Sequence, residues 1–382
     1  MRERDAQDKP MTSSPGSVPR IGRRRLLQAA AGTLAGLAAG MPARGEVPIA
    51  DMHSHYGLLQ RPLATSALAE EVRDHHVALM AWKLVSDGSW IREGKAGIEV
   101  FASPQPGQLA ARFDAQIGRM RDYLREHRLK TVLDAADVDA CTAPGGPAGI
   151  VLASEGSHFL EGNVDNLGAA HAKGLRHLQL VHFLAAPAGD NQTLPPVHNG
   201  LSEMGKRLVE ACNDKHLLVD LAHAAMPTVE QALQIAKVPL VWSHGWVDRV
   251  AGRWLDATTM QQRRLSIDHA KMIADRGGVV GLWGLALTKP AAAWTAGRGG
   301  WTVGPRDTEG YARELTALVD KIGAEHVGLG TDMEGVGKNW SVNDYAGVRD
   351  VLQQLERMKL PAGTIERIAY RNYARVLKAA LG

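Results

Sequence analysis

From residue 46 onward, short apolar runs alternate with longer stretches in which apolar residues return every three or four positions. Runs at 47–52, 77–85, 149–153, 175–181, 217–221, 240–242, 279–285 and 327–329 have the length and apolar character of buried strands. The stretches 109–127, 201–215, 228–236, 258–276 and 308–322 carry the stripe of amphipathic helices. Strand then helix, repeated, is the signature of parallel βα units. Eight strands in 46–382 predict a (β/α)8 TIM barrel rather than an open sheet. Two further helices, 342–358 and 363–380, follow the last strand. No Pro-, Gly- or Ser-rich linker divides 46–382, which reads as one domain. Loop insertions are expected at 87–107, 185–200 and 289–306. The last holds Trp294 and Trp301 among glycines, as a lid, a pocket wall or an ordinary packed loop.

Residues 1–45 do not follow this alternation. A polar stretch leads into Arg23-Arg24-Arg25-Leu26-Leu27-Gln28, and an Ala-, Gly- and Leu-rich run then extends to about Gly40. Paired arginines ahead of a weakly apolar run resemble a twin-arginine (Tat) signal peptide, with cleavage after Ala43 or Gly45. The run is shorter and less apolar than the roughly 20 residues of a membrane span. The expectation is a soluble periplasmic enzyme exported by the Tat machinery. Residues 1–45 hold eight Lys/Arg and three Asp/Glu, leaving 36 basic and 38 acidic residues beyond them. A chain so balanced offers no nucleic-acid surface. Cys141 and Cys212 are the only cysteines, which excludes a disulfide framework and a cysteine zinc site. Two unrelated buried thiols are expected, although a single bridge would be chemically allowed in the periplasm.

Ligand-type residues fall at the ends of five apolar runs. They occur in Asp51-Met52-His53-Ser54-His55, Ser154-Glu155-Gly156, Asp220-Leu221-Ala222-His223, Ser243-His244 and Gly330-Thr331-Asp332. In a barrel the C-terminal strand ends converge on one mouth. His53, His55, Glu155, His223, His244 and Asp332 would therefore meet there, a set of imidazoles and carboxylates that suits Zn²⁺. Each piece alone is weak. His-x-His shares a strand face by simple periodicity, a lone buried His is usually a hydrogen-bonded core residue, and Glu155 or Asp332 would serve as a cap. His75, His76, His127 and His269 lack the register. Recurrence after successive strands is what predicts a metal centre.

These segments resemble the membrane (renal) dipeptidases, a branch of the amidohydrolase superfamily, from about Ile49 to Leu377. Gly200-Leu201-Ser202 and the closing Asn372-Tyr373-Ala374-Arg375-Val376-Leu377 add to the likeness. The resemblance implies a dipeptidase with two zinc ions bridged by Glu155. His53 and His55 would complete one metal site, and His223 and His244 the other. It implies a substrate and oxyanion contact at His182, a proton-handling role for Asp332, and a metal-bridged hydroxide as nucleophile. It also implies an arginine beyond the sixth strand that grips the substrate carboxylate, for which Arg253 is the candidate and Arg249 the competitor. Two positions depart from the family pattern: His55 stands where an aspartate is usual, and Leu285 where a tyrosine is. They motivate an alternative, an amidohydrolase acting on a non-peptide amide or tailoring an exported metabolite. A metal-poor binding or scaffold protein is the other alternative, opposed by the intact ligand set. A homodimer remains open. A deaminase is disfavoured by the bridging-type Glu155, and 175–181 holds no lysine for a lysine-bridged metal pair.

Overall fold

A computed structural model describes residues 46–59, 63–94, 97–247, 261–289, 301–335 and 340–382. The signal-peptide reading, Arg249, Arg253 and Trp294 fall outside the described residues.

Eight parallel strands form a closed ring. They are β1 (Ile49–Ser54), β2 (Val77–Val85), β3 (Gly149–Glu155), β4 (Leu175–Gln179), β5 (Leu218–Asp220), β6 (Val241–Trp242), β7 (Val279–Leu282) and β8 (Val327–Leu329). Each pairs with the next in chain order, and β8 returns to β1. The helices are α1 (Leu68–Asp74), α2 (Gln108–Glu126), α3 (Ala135–Thr142), α4 (Leu167–Ala172), α5 (Glu203–Asp214), α6 (Met226–Ile235), α7 (Ile267–Asp275), α8 (Thr308–Ile322), α9 (Tyr345–Arg357), α10 (Ala362–Glu366) and α11 (Asn372–Leu381).

Strand alternation sorts the core into two layers. One face of each strand, including Ile49, Met80, Trp82, Leu84, Ile150 and Leu152, packs outward with the helices. The other, with Ala50, Met52, Leu79, Ala81, Val151, Ala153, Leu218, Val241 and Val279, fills the barrel interior together with Tyr373, Val376, Leu377 and Leu381 of α11. Helix α11 thus packs against the strand starts, opposite the strand ends that carry polar residues. Met52 fills space left by Gly281 and Gly328, where an added Cβ would lie 2.7 and 2.8 Å from its methyl carbon.

Strand β1 runs to Ser54, two residues beyond the predicted end at Met52, and so includes His53. The expected helix 258–276 starts only at Ile267, because the Ser266 hydroxyl accepts from the His269 N–H and caps the helix there. Ahead of it, Arg264–Leu265 forms a short parallel strand with Trp246–Val247. The expected helix 363–380 is interrupted by a π turn at Arg367–Arg371. The 87–107 insertion contains a hairpin, Ile91–Gly94 with Gly97–Val100. Leu287–Lys289 pairs antiparallel with Trp301–Val303. Cys141 and Cys212 are separate buried thiols. No helix among the described residues is long and apolar enough to cross a membrane.

Candidate metal centre

The site begins with two buried aspartates that hold the strand ends. Asp51 Oδ1 accepts from the backbone N–H groups of His53 and Thr331, both at 3.1 Å, joining β1 to the end of β8. Asp220 Oδ1 accepts from Ala222 N at 2.9 Å and Ser243 N at 3.0 Å, joining β5 to β6. Beneath them Lys83, fully buried on β2, is ion-paired with Asp220. Removing one partner of such a pair leaves an uncompensated buried charge, at a cost of about 3–5 kcal/mol. After β5 and β8 the chain turns through His223 and Asp332 with φ of 68° and 52°, left-handed conformations that non-glycine residues adopt at a cost and that cluster at functional sites.

On this frame four imidazoles aim Nε2 at Glu155, the last residue of β3. Oε2 lies 3.1 Å from His55, while Oε1 lies 3.1, 3.5 and 3.6 Å from His223, His53 and His244. Within the pairs, Nε2 to Nε2 is 3.1 Å for His53 and His55 and 3.2 Å for His223 and His244. Two buried triads share Glu155: His53, His55 and Glu155, and Glu155, His223 and His244. Around a tetrahedral zinc with bonds near 2.0–2.1 Å, neighbouring ligand atoms stand about 3.3 Å apart. All six separations within the triads bracket that value, so the residues present fit a metal pair. His55 Nδ1 meets the Lys83 carbonyl at 2.7 Å, which leaves its Nε2 lone pair facing the cluster.

Electrostatics agree. Burial, reinforced by Lys83, holds His53 well below the usual imidazole range; burial and Arg263 do the same to His223, and burial and His53 to His244. Burial opposes a charge on Glu155, but the imidazoles of His182 and His53 pull it well below the usual carboxylate range. Burial also works against a charged His55, yet hydrogen bonds to Asp332 and Glu155 push it up to about 10. Three neutral imidazoles and an ionised carboxylate are the protonation states a metal requires.

Asp332 Oδ1 lies 3.1 Å from His55 Nε2 and 3.5 Å from His53 Nε2, and burial raises its carboxyl above the ordinary range. His182, just past β4, has Nε2 3.4 Å from Glu155 Oε1 and Nδ1 2.6 Å from Asp87 Oδ1. Burial works against its charged form, but Asp87 and Glu155 raise it. Every site residue expected from the sequence and described in the structure is therefore brought to one mouth.

Arg263 was missed by the sequence reading, which put it on a helix face. It is fully buried, its Nη2 lies 3.0 Å from His244 Nε2, and its guanidinium sits over the Trp283 ring at 5.5 Å. The useful signal was Ser266, whose capping pattern ends the loop three residues later. Asp87 and Lys83 were likewise missed, because nothing local marks a buried polar partner, and Ser243 was singled out only as the residue before His244. Leu285 lies beside the site, packed with Ile98, Phe183, Trp246 and Trp283. Above the polar floor, a cavity of about 150 Å³ is walled by Val85, Ile91, Ile98, Phe183 and Trp283.

The sequence profile of the membrane dipeptidases, peptidase family M19, matches residues 63–381. An uncharacterized dipeptidase, C965.12, of Schizosaccharomyces pombe is 25% identical over 314 residues, covering 75% of this chain and 70% of that protein. Among solved structures, the probable dipeptidase PvdM of Pseudomonas aeruginosa superposes with a TM-score of 0.69 at 16% identity, over 94% of this chain and 99% of the other. A metallopeptidase of Rhodobacter sphaeroides, liganded with a phosphinate mimic of the dipeptide L-Ala-D-Ala, gives 0.65 at 19%, over 88% and 99%.

Proposed function

Because the chain belongs to the membrane dipeptidase family of metallohydrolases, we propose that it is a zinc dipeptidase that splits the peptide bond of small dipeptides with a free C-terminal carboxylate. The carrying observation is the shared Glu155: two ligand triads with spacings of 3.1–3.6 Å meet on one carboxylate. His53, His55 and Glu155 would hold one zinc, and Glu155, His223 and His244 the other. When bound, zinc supplies Lewis acidity that polarises a carbonyl and acidifies water.

The remaining work falls to this chain's own side chains. Asp332, made more basic by burial and by the charge of Glu155, accepts the proton of the attacking water and returns it to the leaving amine nitrogen. Asp87 accepts from His182 Nδ1 and favours the charged, doubly protonated ring, so that Nε2 also carries a proton and donates it to the oxygen that gains charge. Arg253 lies outside the described residues; among those described, Arg263 is the candidate to fork onto the substrate carboxylate from its place on Trp283. A clamp one residue beyond the scissile bond favours dipeptides over longer chains. The ligand of the Rhodobacter metallopeptidase, a dipeptide mimic, supports the same substrate class here.

Metal analysis and a dipeptide panel test this reading. About two zinc ions per chain and release of free amino acids are expected, and zinc-loaded protein inert on every dipeptide would overturn it. The indole wall and Leu285, in place of a polar tyrosine, favour one second reading, hydrolysis of an apolar non-peptide amide. Accumulation of such an amide in a deletion strain would select it. Arg23 and Arg24 ahead of the Ala- and Gly-rich run support Tat export to the periplasm. Replacing both with Lys should retain the protein in the cytosol; unchanged export would refute the route.

A further inference from the structure

We propose that Ser243 is a positioning residue that ties the two halves of the metal centre together, its single hydroxyl oxygen accepting a hydrogen bond from one imidazole of each half. The inference rests on the two-metal reading and deepens it. Ser243 Oγ lies 3.0 Å from His53 Nδ1 and 3.2 Å from His244 Nδ1. The two rings lie 3.9 Å apart between centroids, and both turn Nε2 toward Glu155. An imidazole that gives one nitrogen's lone pair to a metal carries its proton on the other. Two Nδ1–H groups therefore need acceptors, and a hydroxyl oxygen has two lone pairs. Neither Nδ1 has another hydrogen-bond partner among the described residues.

The surroundings keep the oxygen in this role. Lys83 Nζ, a donor only, makes a longer contact of 3.4 Å with the same oxygen and is ion-paired with Asp220. Ser243 is fully buried, and its N–H is held by Asp220 Oδ1 at 3.0 Å. Its carbonyl is boxed in by one glycine on β7 and one just past β8: a Cβ at Gly281 or Gly330 would lie 2.0 or 1.7 Å from that oxygen. Backbone and hydroxyl thus have one place to be. Because one oxygen orients a ligand from each triad, loss of the hydroxyl loosens both metal sites at once.

Full-length enzyme stripped with chelator and titrated with zinc against a chromophoric competitor tests this, with the visible spectrum of the cobalt-loaded protein as a second readout. Wild type should bind two zinc ions. Ser243→Ala should weaken both steps by about ten- to a hundredfold and alter the cobalt bands, while Ser243→Thr, which restores the hydroxyl, should return both toward wild type. Weakening of one step only, of neither, or equal weakening in the threonine variant would overturn the proposal. If the alanine variant does not fold, Ser243→Cys, which keeps the shape with a poorer acceptor, must show the same paired weakening; unchanged affinity in it is equally fatal. A wild-type protein that takes up no zinc would instead overturn the two-metal reading itself.

Discussion

Asp87 and His182 show how much one contact decides at the scale of single residues. The ring donates from Nε2 while Nδ1 is bonded to Asp87 only when both nitrogens are protonated, and the 2.6 Å contact with the Asp87 carboxylate favours that charged form. Asp87→Asn keeps the shape but removes the charge. It should lower kcat by up to about 10²–10³, the loss seen when a single oxyanion donor is deleted, with a smaller effect on KM; an unchanged kcat in steady-state assays would exclude the donor role. His177 makes a second case, away from the metal ligands. It is enclosed by Lys83, Asp220 and Tyr373, and burial, aided by Lys83, lowers it to about 4. The unfolded chain, with an ordinary imidazole near 6.5, takes up the proton first as pH falls. Stability contributed by the neutral ring is therefore complete above about 6.5 and is lost between there and about 4. The shift corresponds to about 3 kcal/mol. Denaturant melts of wild type and His177→Gln at pH 7 and pH 4 should show wild type losing more by that order, and parallel losses would refute it.

Elements carry these residues, and glycine at α5 shows how packing overrides propensity. In a helix, Gly→Ala should stabilise by about 1 kcal/mol. At Gly205 the new Cβ would lie 1.8 Å from the Ala188 carbonyl oxygen, where α5 packs on the 185–200 loop. Gly205→Ala should instead destabilise by about 1–3 kcal/mol, as overpacking does, visible as a lower thermal midpoint; a raised midpoint would contradict the packing. That loop also supplies Gln192, which holds Arg263. The barrel strands were legible because strands buried on both faces read as unbroken apolar runs, and β2 and β8 match their predicted bounds residue for residue. The ligands were legible for the same reason, as polar residues interrupting those runs. Helices α1, α3 and α4 were not, being seven, eight and six residues long, too short for a periodic stripe. Arg263 escaped because its loop is defined by where α7 begins, and Ser266 competes with an apolar pattern that runs straight through it. Lys83 lay inside an apolar run, where only the barrel's interior shows that it meets Asp220.

For the whole molecule, metals that bind the folded chain alone stabilise it by mass action, about 2.7 kcal/mol per site at a hundred times Kd. Chelation should therefore lower the thermal midpoint by several degrees without loss of helix signal below the transition, and identical melts with and without chelator would argue against a resident metal. Closure of the sheet should keep the fold intact after chelation, because Asp51 and Asp220 bind the strand ends through protein groups alone. The other end of the barrel is shut by α11, whose Tyr373 hydroxyl meets His177 at 3.1 Å and whose Leu377 and Leu381 enter the interior. Domains generally fold as units, and on the ribosome the N-terminal part of a chain emerges first. Here the stopper follows all eight strands in the chain, so a barrel whose strands have emerged keeps Lys83, His177 and Asp220 wet until α11 is in place. Closure of the base should then come after the strands are made, and whatever handles the chain before that step would meet the barrel with its base still open.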